Sequence, residues 1–129
     1  HTDGHVDNIA RFIAPGHVLC QHPADRNDPN AETLQEIERT LVSHGLMVSS
    51  IPSPGLVHFG DGVPVPASHM NFTITNRAVL VPIYEDRFSA VALSELKALF
   101  PGREVIGLPA RAILAGGGSF HCMTREIPA

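Results

Sequence analysis

Cysteine is scarce in this 129-residue chain, which has only Cys20 and Cys122. A chain of this size with an ample apolar share has no need of a disulfide staple, so both are read as reduced. The eight histidines form no His-x-x-x-His on a plausible helix and accompany no Cys-x-x-Cys, which leaves metal binding a weak second reading; neither metal nor cofactor is expected. Apolar runs fall far short of the roughly 18 residues that a membrane-spanning helix needs. Lysine and arginine never gather: nine basic residues against thirteen acidic give a net charge of −4, with no stripe for phosphates, so nucleic acid and anionic membranes are not expected partners. Neither an initiator Met nor a charged-then-apolar leader opens the sequence. The expectation is a cytoplasmic protein, and one cut from a longer chain, because an acidic-histidine motif arrives at Asp3 before any strand that would support it.

What is present suffices for one globular domain. With 43% hydrophobic residues, the chain can bury about two-thirds of its unfolded surface. Residues 6–13 suit a strand, Ala14-Pro15-Gly16 has turn chemistry, and 17–21 is a second short apolar strand, so together they predict a hairpin. Asp28-Pro29-Asn30 supplies a helix start, with Asp28 as cap. From 31 to 44 the apolar positions Leu34, Ile37, Leu41 and Val42 keep helical spacing until Gly45, and 46–51 is a strand. Residues 52–68, with four prolines and three glycines, read as a long loop of the kind that covers a site. The pattern then restarts: strands over 71–75 and 78–83 about Asn76-Arg77, a helix over 89–100 and a strand over 104–108.

Residues 8–51 and 71–108 thus share the order strand, turn, strand, helix, strand, beginning about 63 residues apart. That is an internal β-β-α-β repeat. Repeats of this kind bury their faces against neighbours and are rarely complete at two copies. A division follows into a module over 1–52, a loop over 53–68, a second module over 69–110 and an incomplete third over 111–129.

Chemistry concentrates in Gly116 to Pro128, where three glycines deliver Cys122 with a histidine beside it. A thiol becomes a strong nucleophile only where cations or a paired base favour the thiolate, so Cys122 needs a partner from elsewhere. His5 and Asp7, two apart at the other end of the chain, are the best candidates; on an extended strand they would face the same side. Gly117 and Gly118 either make a tight turn into a last strand or let the backbone approach a substrate closely, and their position favours the second. The bland reading wins elsewhere. Cys20, inside an apolar run, is a small buried hydrophobe. His121 would point away from Cys122 in an extended segment and is read as structural. Asn8 and Asp3 are assigned to local turns, and Arg111 to a surface or inter-module ion pair.

Four stretches carry a family resemblance: residues 2–16 (Thr-Asp-Gly-His-Val-Asp-Asn-Ile-Ala-Arg-Phe-Ile-Ala-Pro-Gly), 66–72 (Pro-Ala-Ser-His-Met-Asn-Phe), 103–114 (Arg-Glu-Val-Ile-Gly-Leu-Pro-Ala-Arg-Ala-Ile-Leu) and 116–124 (Gly-Gly-Gly-Ser-Phe-His-Cys-Met-Thr). In this order, covering nearly the whole chain, they resemble agmatine deiminases and the wider bacterial-type peptidylarginine deiminase family of guanidine-modifying enzymes. The resemblance implies an α/β fold, a pseudo-fivefold propeller of β-β-α-β modules (a pentein), of which this chain would be the C-terminal portion. It implies hydrolysis of a guanidinium to a ureido group and ammonia, with agmatine giving N-carbamoylputrescine. Cys122 matches the nucleophile, His5 the general acid and base, and Asp7 a carboxylate gripping the guanidinium, while Gly117 and Gly118 remain assigned to substrate approach by their position beside Cys122. Two departures stand out: Arg125-Glu126 replaces a usual glutamine pair, and His69 replaces a frequent aromatic residue. The expected partners are a small guanidinium substrate and either further copies of the chain or the missing N-terminal modules, without which the chain should be inactive. The alternatives are a deiminase of peptidyl arginine and a non-catalytic truncated module that acts by self-association or partner binding.

Overall fold

The computed structural model of the chain describes residues 4–60, 62–85 and 87–127; the turn role expected of Asp3 lies outside them. Two three-stranded sheets with the same connection dominate the molecule. In the first, β1 (Ala10–Ala14) pairs antiparallel with β2 (His17–His22), and helix α1 (Ala31–Ser43) carries the chain over to β3 (Met47–Pro52), parallel to β2. Between the sheets, β4 (Val57–His58) and β5 (Pro64–Val65) form a small antiparallel ribbon. In the second sheet β6 (Thr73–Ile74) pairs antiparallel with β7 (Ala78–Ile83), and α2 (Ser89–Leu99) leads to β8 (Glu104–Pro109), parallel to β7. Both parallel pairings run for six residues, His17–His22 against Met47–Pro52 and Ala78–Ile83 against Glu104–Pro109. The repeat read from the sequence is therefore a repeat of register as well as of order, and the α/β expectation holds.

Three local expectations are corrected. The chain does not enter β1 as a strand from residue 6: Val6–Asn8 is a turn of 3-10 helix, closed by the Asn8 amide on the His5 carbonyl and the Ile9 amide on Val6. Asp7 and Asn8 disfavour extended backbone by competing for local hydrogen bonds, and here the turn wins over the β-branched neighbours. Asp28 does not cap α1, whose N-cap is Asn30. Its buried carboxylate instead accepts the amides of Ala24 and Asn30 and the Ser53 hydroxyl, tying the loop before α1 to the end of β3. The glycine run leads not into a strand but from one helical turn, α3 (Arg111–Leu114), into a second, α4 (Phe120–Met123).

One core serves both modules. Leu19 and Ile51 from the first sheet pack with Met70, Phe72, Val79, Val81, Ala92, Leu96, Phe100 and Val105. Helix α2 lies against β8 of its own sheet and β3 of the other, so burying its apolar face fixes the modules to each other. His69, also fully buried, bonds the Pro52 carbonyl through Nδ1 at 2.9 Å and the Ser89 hydroxyl through Nε2 at 3.2 Å. With Nδ1 donating, Nε2 is left as the acceptor, and the imidazole pins β3 to the start of α2. This buried packing places residues 69–72 between the two ends of the chain. Among the described residues no helix is long and apolar enough to cross a membrane.

Candidate active site

Asp7, on the opening turn, and Cys122, on α4, meet although they are 115 residues apart in sequence: the thiol donates to the carboxylate with Sγ at 3.4 Å from Oδ2. His121 Nδ1 stands 2.8 Å from the same oxygen. The structural reading of His121 rested on an extended segment that turns its ring away from the thiol. In a helical turn adjacent side chains diverge by only about 100°, and both His121 and Cys122 reach Asp7. Burial pulls the Asp7 carboxyl up, but hydrogen bonds from His121 and Cys122 and the charges of His121 and His5 outweigh it and hold it below its ordinary value. His5 occupies the N-cap of the opening turn, exposed, and acts on Asp7 through charge. Among the described residues no hydrogen bond joins His5 to Cys122.

Asn71 is the residue that sequence reasoning missed. It is 1% exposed, and its side chain joins the opening turn to α4. Its carboxamide oxygen accepts the amides of His121 at 3.0 Å and Cys122 at 3.3 Å, and its nitrogen approaches Asn8 Oδ1 at 2.8 Å, Cys122 Sγ at 3.0 Å and Asp7 Oδ2 at 3.2 Å. The amide orientation is forced, because backbone N–H groups only donate and an ionised carboxylate only accepts. Two hydrogens thus serve three acceptors. The available signal was its repeat position: Asn71 lies 63 residues after Asn8, inside the quoted 66–72 stretch.

The glycines make room. Gly117 holds φ +92, a left-handed conformation that side chains avoid, and a Cβ on Gly118 would fall 2.9 Å from Cys122 Cβ and 3.4 Å from Sγ. A recess of about 240 Å³ opens beside the thiol, lined by Ile113, Gly116, Gly117, Gly118, Cys122 and Met123. Arg111, expected in an ion pair, donates to the His58 carbonyl and anchors the β4–β5 ribbon. Cys20 is a free, fully buried thiol, pushed up to about 11 by burial and by the charge of Glu38. Among the described residues no three His, Cys, Asp or Glu side chains converge as metal ligands. Chemically, a thiol at the edge of a small recess sits against an ionised carboxylate with two imidazoles near that carboxylate, and such a carboxylate suits a compact cation with N–H donors.

Known proteins resemble this chain over nearly its whole length. The family model described as Porphyromonas-type peptidyl-arginine deiminase matches residues 1–128. A relative from Shewanella sp. (strain W3-18-1), under an agmatine deiminase name, is 35% identical, with 99% of this chain and 40% of the relative covered. Among solved structures, the agmatine deiminase of C. jejuni has a TM-score of 0.85 at 29% identity, covering 93% of this chain and 38% of that one. That of Enterococcus faecalis has a TM-score of 0.84 at 33% identity, covering 94% and 39%. The chain spans about 40% of the length of the curated relatives it matches.

Proposed function

We propose, for a chain that belongs to the Porphyromonas-type peptidyl-arginine deiminase family, that it carries the nucleophile side of a site that hydrolyses a guanidinium to a ureido group and ammonia, with agmatine as substrate. The observation that carries the reading is the meeting of Asp7, His121, Asn71 and Cys122 beside an open recess. A guanidinium is planar, cationic and rich in N–H donors, and a carboxylate such as Asp7 accepts paired hydrogen bonds from it. The Cys122 sulfur attacks the guanidinium carbon. The C–N bond then breaks, ammonia leaves with a proton delivered by His5, and a covalent thiouronium remains. Water, deprotonated by His5, adds to the same carbon; the C–S bond breaks, the thiolate is restored and the ureido product leaves. Over the cycle one guanidinium and one water become one ureido group and one ammonium. No oxidant, metal or cofactor is needed. Asp7 and Asn71 hold the reacting groups in place, and Gly117 and Gly118 keep side chains out of the approach to the sulfur.

Support comes from the agmatine deiminase names of the solved neighbours, one of which, a cysteine-to-serine variant of the C. jejuni enzyme, was obtained with substrate bound. Further carboxylates gripping the guanidinium are assigned to modules outside this chain, so the 129 residues alone are expected to be inactive. The test is ureido-product and ammonia release from agmatine by the full protein. Turnover that falls by at least about a thousandfold in Cys122→Ser is expected. Undiminished turnover in that variant, or none in the wild type, sinks the proposal, and turnover of peptidyl arginine in place of agmatine moves it to the second substrate.

A further inference from the structure

Asn71 can organise the thiol only if its own backbone is held: its amide donates to the Ser68 carbonyl and its carbonyl accepts the His121 amide, and the carbonyls on either side of it are held by an arginine outside the site. Arg11, on β1, extends its guanidinium into the gap between the modules. There it donates to the carbonyls of Met70, at 3.4 Å, and Phe72, the two residues flanking Asn71, and its guanidinium carbon lies 4.3 Å above the Phe72 ring centroid. Both bonds leave one nitrogen, Nη1, while the flat guanidinium lies over an aromatic face. Residues 70–72 precede the short strand β6, so no sheet partner fixes them. Burial lowers the Arg11 guanidinium, opposed by the charges of Asp7 and Glu126.

We propose that Arg11 is a positioning residue for Cys122: by clamping the carbonyls on either side of Asn71, it holds the carboxamide in the one orientation that donates to Sγ and accepts the amides of His121 and Cys122. This rests on Cys122 being the reacting thiol, as in the function proposed above, but not on the identity of the substrate. The charged and titratable groups around the thiol are Asp7 on the opening turn, with His5 acting on it, and His121 on α4; Arg11 and Glu126 are coupled through charge from further out. Asn71 also donates to Asp7 Oδ2, and Arg11→Gln removes a charge coupled to Asp7, so the double variant separates the two: an effect of charge persists without Asn71, whereas an effect through the carboxamide does not.

The test is the rate of Cys122 alkylation by iodoacetamide in the full protein, followed against pH and located by peptide mapping. Loss of a donor to the thiolate slows the reaction about tenfold near neutral pH in Asn71→Ala. Arg11→Gln is expected to slow it by a similar factor, with all rates converging at alkaline pH, where every variant is thiolate. The decisive arm is the double variant: Arg11→Gln adds nothing in the Asn71→Ala background, because the clamp acts through that side chain. Additive losses, a wild-type rate in Arg11→Gln, or a deficit that persists at alkaline pH would overturn the proposal. Should Arg11→Gln fail to fold, Arg11→Lys replaces it. An ammonium has donors enough for both carbonyls but no flat face to lie over the Phe72 ring, so a loss of at most roughly two- to threefold is expected, present with Asn71 and absent in Asn71→Ala, and a loss that persists in Asn71→Ala overturns the clamp. If alkylation behaves as expected but agmatine is not turned over, the deiminase reading falls and the clamp stands. Normal turnover with an unchanged alkylation profile in Arg11→Gln has the opposite meaning.

Discussion

The two modules are built alike and buried differently. Their parallel strand pairs share a six-residue register, yet α1 has one buried residue, Leu34, where α2 has three, Ser89, Ala92 and Leu96. Composition follows from neighbours: α2 is held between its own sheet and β3 of the first module, whereas α1 packs mainly on β2 and β3 of its own sheet. A helix between two layers must be apolar over most of its girth; one covered on a single side keeps a polar face, and Glu32, Glu36 and Glu38 supply it. Of the large exposed apolar residues, Val6, Phe12, Val42 and Met47 lie in the first module. Equal topology therefore does not give equal energetics; what lies against the far side decides.

The largest expected effect breaks that comparison most directly. Leu96 is fully buried between the sheets and Leu34 is 7% exposed on the one-sided helix. Leu96→Ala is expected to cost about 3 to 4 kcal/mol, and Leu34→Ala about 2 kcal/mol, because a site with an open side relaxes into the space left behind. Urea unfolding of both variants measures the difference, and equal costs would show that the helices are equally supported.

Next in size is the pair of repeat-equivalent asparagines. Asn8 receives one hydrogen bond from Asn71, whereas Asn71 reaches the thiol, the carboxylate and two backbone amides as well. Asn71→Ala is expected to reduce agmatine turnover of the full protein by about a hundredfold, and Asn8→Ala by less than about tenfold. Steady-state rates check it; matching losses would mean that the two turns share the work.

Cys20 and Val81 hold the fourth position of the central strands β2 and β7, and both are fully buried. Only the thiol can ionise. Its folded value, about 11, lies above the ordinary 9.0, so the stability it confers is complete below the ordinary value and is lost as pH rises from there through the folded value. Cys20→Val makes the first module like the second and is expected to flatten thermal stability over that alkaline range. An unchanged slope in the variant would assign the alkaline loss to another group.

The repeat, the sheet order and the core were legible because they follow from periodicity: Leu19, Ile51, Val79, Val81 and Leu96 occupy positions that alternation or helical spacing marks as inward. The β4–β5 ribbon escaped notice because two-residue strands leave no periodic trace, whereas β6, expected over 71–75, forms only over Thr73–Ile74. Within the site, Asp7 and Cys122 were legible as chemistry-bearing types at the two ends of the chain. Asn71 was not, since a carboxamide announces nothing until its neighbours are known. His121 was read as a structural, hydrogen-bonded residue, and what the sequence did not show was the direction of its ring: a helical turn after three glycines carries it to Asp7, where a strand would have turned it away.

The smallest expected effect tests the uncovered side of the first module. Phe12 is 66% exposed on β1, beside an apolar groove of about 420 Å³ whose lining includes Val6, Ala10, Val18, Leu41 and Leu46. In a solvated chain its ring contributes little to folding, so Phe12→Ser should change the unfolding free energy of the 129-residue chain by less than about 0.5 kcal/mol. An apolar face of this kind nonetheless favours association, because every contact between copies removes it from water. Sedimentation should accordingly show the wild-type chain self-associating at high concentration and Phe12→Ser shifted towards monomer. A stability loss near that of Leu34→Ala would mean that Phe12 is already covered within one chain, and a clean wild-type monomer would mean that the face needs no cover at all. Either result would erase the difference in support between the two modules, while the expected pair of results, folding unmoved and association weakened, ties that difference to the outside of β1.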